Sequence, residues 1–317
     1  LHADVVSEFG HITLRAGDDI TLFANSDIRT ASPGTIYLFA GNNDVDAGFG
    51  IDLSAQGASI TAVDSDIRLV ADGEGDILLG IVDAGDGDVS LIAERDILDR
   101  SASSLLLLDA NAGDSQITVV DASGFSVGDR IVLQDDAFRS EAVSEEITAI
   151  AGNAITLSSP LSRGFDASDP ASLVTTLNVA SAGLLMIADA VVGNDGNLGG
   201  PPDGAVLQQG MIGEADLANG TPILNRFAID TAVTTLAAQS ADGIYVSEFA
   251  DVAVNTVTVA VEHLLAREPV ELLLETASRG RTARDRGIAA AALLHSGRVR
   301  EACLLYTSDA ADDSSVV

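Results

Sequence analysis

Tryptophan and lysine are missing from this chain, cysteine occurs once, and aromatic residues make up 4% of it. Each shortage excludes something. A single cysteine, Cys303, cannot form an internal disulfide or a thiolate metal cage. Sixteen arginines against 48 acids, a formal charge of −32, exclude a basic face for nucleic acid. Apolar runs such as those at 105–108 and 289–294 are far too short to cross a bilayer. With so few aromatics, any core must be built from Ile, Val, Leu and Ala. Hydrophobic residues reach 47%, so the material for one is present.

That material is arranged in one short pattern. Gly10-His11-Ile12-Thr13-Leu14-Arg15-Ala16 is answered by Asp19-Ile20-Thr21-Leu22-Phe23-Ala24 and again by Gly34-Thr35-Ile36-Tyr37-Leu38-Phe39-Ala40. Asp66-Ile67-Arg68-Leu69-Val70-Ala71 and Asp88-Val89-Ser90-Leu91-Ile92-Ala93 repeat it. Apolar side chains at i, i+2 and i+4 mark strands with one buried face. Gly, Asp, Asn or Ser at each entry supplies a tight corner. Ile12, Ile20, Ile28 and Ile36 are eight apart, and Ile12, Ile36 and Ile60 are twenty-four apart. Three strands and three corners per turn define an all-β chain, a parallel β-helix solenoid. Its inward set is expected to be Ile12, Leu14, Ile20, Leu22, Ile36, Leu38, Ile51, Leu53, Ile67, Leu69, Ile77, Leu79, Val89 and Leu91. Ile12, Ile36 and Ile60 are expected to share one column. Each such side chain stabilises by roughly 1.5–3 kcal/mol when buried.

The grammar divides the chain. Residues 1–108 carry the repeats. Residues 110–178 change spacing and read as a small all-β insert, with a hairpin centred on Gly152-Asn153. Residues 179–262 return to looser repeats, with a Gly/Asn/Pro-rich stretch at 192–204. Residues 263–302 break the alternation. Seven arginines against five acids in 264–302 read either as an irregular or partly helical segment or as an out-of-frame translation. Leu1 falls inside a repeat, so the chain is read as an internal fragment.

Taken together, Gly/Asp-x-Ile-Thr-Leu-x-Ala in the first block and Ile229-Asp230-Thr231-Ala232-Val233-Thr234-Thr235-Leu236-Ala237-Ala238 with Gly243-Ile244-Tyr245-Val246-Ser247-Glu248 resemble large bacterial surface exoproteins. The type is the filamentous haemagglutinins and autotransporter adhesins, over roughly residues 5–108 and 181–262. The resemblance implies a right-handed β-helix shaft at the extracellular or outer-membrane surface. It also implies attachment or aggregation through a glycan or protein receptor on a host or neighbouring cell. It transfers no catalytic residues. Residues 110–178 resemble a module of secreted bacterial and phage surface proteins. Cys303-Leu304-Leu305-Tyr306-Thr307-Ser308-Asp309-Ala310-Ala311-Asp312 resembles a translated transposase sequencing adapter of the kind found on metagenomic reading frames, so 303–317 is read as foreign to the fold.

Candidate chemistry is sparse. Asp83, Asp86 and Asp88 alternate with glycine and suit calcium, the one cofactor the sequence offers. The competing reading is turn residues that also keep the surface charged. Weaker versions occur at 42–46 and 72–76. Asp19, Asp27, Asp44, Asp66, Asp76, Asp88 and Asp96 each precede an Ile or Val, and stacking them demands cations or N–H groups to offset the repulsion. His11 is expected at the surface, and Tyr245 and Phe249 are read as packing residues or, alternatively, ligand anchors. With no phosphate loop and no lysine, the chain is read as a non-enzyme. The alternatives are a carbohydrate-active β-helix enzyme and a calcium-dependent structural module.

Overall fold

The structure, a computed structural model, describes residues 1–41, 50–72, 75–134, 143–168, 172–188, 210–214, 217–218, 221–222, 227–240, 243–249 and 252–255. The expectations for 42–46, 192–204, 263–302 and 303–317 lie outside the described residues, as do two positions of the 72–76 corner.

The first turn of chain lays down three short strands. Val5–Ser7 forms face A, Ile12–Arg15 face B and Ile20–Thr21 face C. Asp27–Thr30, Ile36–Ala40 and Ile51–Asp52 then repeat the circuit and pair in parallel on the first three. Parallel pairing of successive turns puts like positions over one another, and the interior becomes a set of columns. On face B the column runs Ile12, Ile36, Ile67, Val89, Leu184 and Leu236, with the exposed Val254 in register at its end. On face C it is isoleucine throughout: Ile20, Ile51, Ile77, Ile97, Ile212 and Ile244. On face A, Val5, Ile28, Ile60, Val82 and Val179 stack before Thr231 and Glu248 end the aliphatic run. The fold is a parallel β-helix. The inward set anticipated above lies in one core, with Leu14 partly buried at its margin.

Ile60 corrects one expectation. It stacks between Ile28 and Val82 on face A, while Ile36 meets Ile67 instead. The physical reason is arithmetic. In the first turn the faces recur every eight residues, but Ile36 to Ile51 spans fifteen and Ile51 to Ile60 nine. Eight extra residues leave the sequence period intact but move Ile60 round by one face.

Corners are held by aspartates. Asp19 Oδ1 accepts the N–H of Gly50 at 2.9 Å, Asp66 that of Asp88 at 3.0 Å, Asp76 that of Asp96 at 3.0 Å, and Asp96 that of Met211 at 2.7 Å. Each bond joins one turn to the next, and each is charge-assisted. The stacked acids still feel one another. Asp88 is raised above the usual carboxylate range by burial and by Asp66, with the Gly183 N–H pulling it back. Close approach also fixes some residues as glycine: a Cβ at Gly80 would meet the Leu53 carbonyl oxygen at 2.1 Å.

Between the face C strand Ile97–Asp99 and the face A strand that opens the next turn, the chain leaves the shaft. Ser103–Leu105, Gln116–Thr118, Arg130–Gln134, Val143–Ala151, Ala154–Leu157 and Leu173–Thr176 make an antiparallel six-stranded sheet. It has its own core, including Leu106, Ile117, Val119, Phe125, Ile131, Ile147, Ile155, Phe165 and Val174. Leu106 and Ala110 belong to this core, so the boundary drawn at 110 from spacing falls inside it. Val179–Ile187 then re-enters the shaft as one strand spanning faces A and B.

Ile36 is fully buried between Ile12 and Ile67. Ile36→Asp would place an unpaired charge in that column and is expected to cost several kcal/mol, read as a lower midpoint in urea unfolding. An unchanged midpoint would remove Ile36 from the core.

Candidate functional site

The polar features that the shaft does not use for its corners gather where the insert is grafted. The insert loop before Arg130–Gln134 folds back over face A. Phe125 is anchored in the insert core, and its carbonyl accepts Gln56 Nε2 from the shaft at 2.9 Å. Ser126 N–H donates to Asp129 Oδ2 at 2.7 Å, and Gly128, at φ 97°, turns the chain so that its N–H reaches the Ile147 carbonyl. The left-handed turn would strain any other residue. It leaves Asp129 nearly buried, and burial pushes its carboxyl up while the Ser126 N–H partly offsets this.

Beneath the loop lies a cleft of about 510 Å³. Its floor is the outward side of face A, with Asp27, Ser59, Thr61 and Asp83; its roof is Ser126 to Arg130, with Glu146 at the rim. Asp27 Oδ1 accepts the Ser59 hydroxyl at 2.8 Å, and Asp83 Oδ1 accepts the Gly85 N–H at 2.9 Å. Arg130 stands opposite Glu146 across the antiparallel pair. None of the lining side chains is aromatic. A smaller hollow of about 240 Å³ lies nearby, and Asp129 borders both.

The three aspartates singled out from the sequence do not converge. Asp83 closes its own turn through Gly85. Asp86 N–H donates to Asp64 Oδ1 at 3.2 Å, and Asp88 N–H to Asp66 Oδ1. Among the described residues no group of three or more His, Cys, Asp or Glu side chains is placed to hold a metal ion. Asp83 alone of the three lines the cleft. His11 is half-buried: Thr35 N–H donates to its Nδ1 at 3.0 Å, and the Thr35 hydroxyl sits 2.7 Å from the same nitrogen. Tyr245 packs its ring against Gly243, where a Cβ would come within 2.8 Å of it. Phe249 is held through its N–H by the Thr231 carbonyl and Glu248.

Sequence reasoning missed the junction that holds the insert down. Asn178 Nδ2 donates to Asp99 Oδ1 at 2.9 Å, and its Oδ1 accepts the Asp230 N–H at 2.8 Å. Gln134 Nε2, from the insert, donates to Asp230 Oδ1 at 3.1 Å. Asn178 and Asp230 are completely buried. Among the described residues Asp230 Oδ2 has no hydrogen-bond partner, and the Thr175 hydroxyl lies beside the carboxyl outside bonding geometry. Burial first, and the neighbouring Asp99 second, hold Asp230 well above the ordinary carboxylate range. Asp99 is also pushed up by burial, against the Ser101 and Asn178 bonds and Arg100. The available signal was position. The corner aspartates precede a strand or open it, whereas Asp230 sits inside the strand Ile229–Gln239, between Ile229 and Thr231.

No family model and no curated protein matches the chain. Two solved structures are similar to it. One is the Gp54 tailspike of Acinetobacter baumannii bacteriophage AP22 in complex with A. baumannii capsular saccharide, at 14% identity over 41% of this chain and 24% of that one, TM-score 0.23. The other is the tailspike protein gp49 from Pseudomonas phage LKA1, at 14% identity over 72% and 29%, TM-score 0.24. The chain therefore spans less than a third of either. The expectation of a non-enzyme is withdrawn on this finding, because the proteins it resembles are tailspikes, one of them in complex with a saccharide. At these TM-scores the likeness carries no argument about which residues of this chain would act. Among the described residues, no helix is long and apolar enough to cross a membrane.

The raised Asp230 predicts a sign. Between the unfolded value near 4 and the higher folded value, the folded chain binds more protons, so stability falls as pH rises through that window. Asp230→Asn removes this loss. The variant is expected to melt above the parent at neutral pH, with the gap closing towards pH 4. A variant less stable than the parent at neutral pH would show that Asp230 is held as a carboxylate.

Proposed function

We propose that this chain is a shaft segment of an extracellular surface protein that meets glycans of a host or neighbouring cell in the cleft between insert and face A. The cleft carries the reading. It is a built polar site on a shaft whose corner carboxylates are otherwise committed to backbone N–H groups. Its lining of carboxylates, hydroxyls and Asn25 matches a ligand dense in hydroxyl groups, and its volume is that of a small-molecule site. Membership among the large exoproteins of the filamentous-haemagglutinin or autotransporter-adhesin type is part of the same proposal, and the repeat grammar supports it. An adhesin uses such a shaft for reach and the grafted module for contact.

The test is retention of the full chain on a panel of capsular and cell-surface polysaccharides, with release of reducing ends followed in the same mixtures so that cleavage registers as well as binding. Thr61→Trp fills the floor of the cleft from a position whose side chain is not in the core. It is expected to weaken binding about tenfold, about 1.4 kcal/mol, with the melting temperature unchanged. Absence of binding across the panel, or undiminished binding by Thr61→Trp, would refute the assignment.

A further inference from the structure

Resting on the glycan reading of the cleft, we infer that its ligand is a cationic amino-sugar polymer with free amines, held by Asp27 and Asp83. The first argument is charge. The lining carries one cation, Arg130, against four carboxyl groups, those of Asp27, Asp83, Asp129 and Glu146. Each of the two shaft aspartates uses one oxygen within the fold: Asp27 Oδ1 on the Ser59 hydroxyl, Asp83 Oδ1 on the Gly85 N–H. The second oxygen of each has no hydrogen bond among the described residues. They sit on the two strands that flank Ser59–Thr61 on face A, Asp27 paired with Ser59 on one side and Asp83 with Thr61 on the other.

The second argument is what the lining lacks. A neutral sugar is usually gripped by laying its C–H face on an aromatic ring, and aromatic rings carry much of the apolar energy of such sites. This cleft has none. Affinity must come from hydrogen bonds to the carboxylates, and these are strengthened when the ligand's donor is itself a cation. A uronate-rich polymer is excluded on the same ground, since it would approach four carboxyl groups on a chain of formal charge −32. Two strand spacings, about 9.6 Å, lie between them, so ammonium groups on different sugars of one oligomer can meet Asp27 and Asp83 while ring hydroxyls meet Ser59, Thr61 and Asn25.

The probe is a glucosamine oligomer, compared by calorimetry on the full chain with its fully N-acetylated counterpart, at mildly acidic pH where the amines are charged. The free-amine oligomer is expected to bind at least about tenfold more tightly. Asp27→Asn with Asp83→Asn should abolish that preference; Glu8→Gln with Asp18→Asn, outside the lining of the cleft, should retain it. Equal binding of the two oligomers would overturn the cationic assignment and leave the glycan reading standing. Loss of both oligomers and of the whole polysaccharide panel would take down the glycan reading itself. An equal loss in the Glu8/Asp18 variant would reduce the effect to diffuse attraction by net charge. Calcium chloride alone displacing the oligomer, with binding lost in the Asp27/Asp83 variant, would reassign the carboxylates to the metal.

Discussion

Everything in this molecule depends on turns of chain lying in register upon one another. The inward columns supply the energy of that register, because a one-residue slip would move every aliphatic side chain of a strand to the outside. The all-isoleucine column of face C shows the constraint in its plainest form: Ile20, Ile51, Ile77, Ile97, Ile212 and Ile244 come from turns of unequal length yet meet at the same position. The aspartates at the corners supply the direction. A carboxylate that takes the N–H at the start of the next turn can do so in one register only, and it satisfies a backbone donor that the corner would otherwise leave exposed or unpaired. The charge of the chain is in this respect structural.

The insert is accommodated because the register does not require turns of equal length. Val82 of one turn meets Val179 of the next although the whole antiparallel module lies between them. What the register does require is that the module return the chain to the point it left. Asn178 does this, reading Asp99 on the departing side and Asp230 on the arriving turn. Two acids buried around one amide are expensive, and breaking such a network leaves unpaired charge. The upward shift of Asp230, set by burial and then by Asp99, lowers the cost of neutralising it there. The cleft is a by-product of this arrangement: the loop that docks Phe125 and Gln56 together also roofs the outward side of face A.

Much of the shaft was legible because period-two alternation and corner residues are local signals. Ile12 over Ile36 could be read by counting. Ile60 could not, since an addition of eight residues is invisible to a pattern that repeats every eight. The site was less legible for a different reason. Gln134 and Asp230 are 96 residues apart, Asp99 and Asn178 are 79 apart, and nothing local to either pair announces the other. The acidic run at 83–88 drew attention through composition, yet the structure spends it mostly on turns, and the cleft takes only Asp83 from it. Asp27, Ser59 and Thr61 look like ordinary outward residues until the insert covers them.

The register itself can be tested without reference to function. In a Cys303→Ser background, Ile36→Cys with Ile67→Cys places two thiols on adjacent turns about 4.8 Å apart along the stack, within the Cα separations a disulfide spans. Ile36→Cys with Ile60→Cys places them on different faces. Peptide mapping after mild oxidation is expected to find the 36–67 bridge in the first variant and no 36–60 bridge in the second. A bridge between 36 and 60, with none between 36 and 67, would contradict the stack of turns described above.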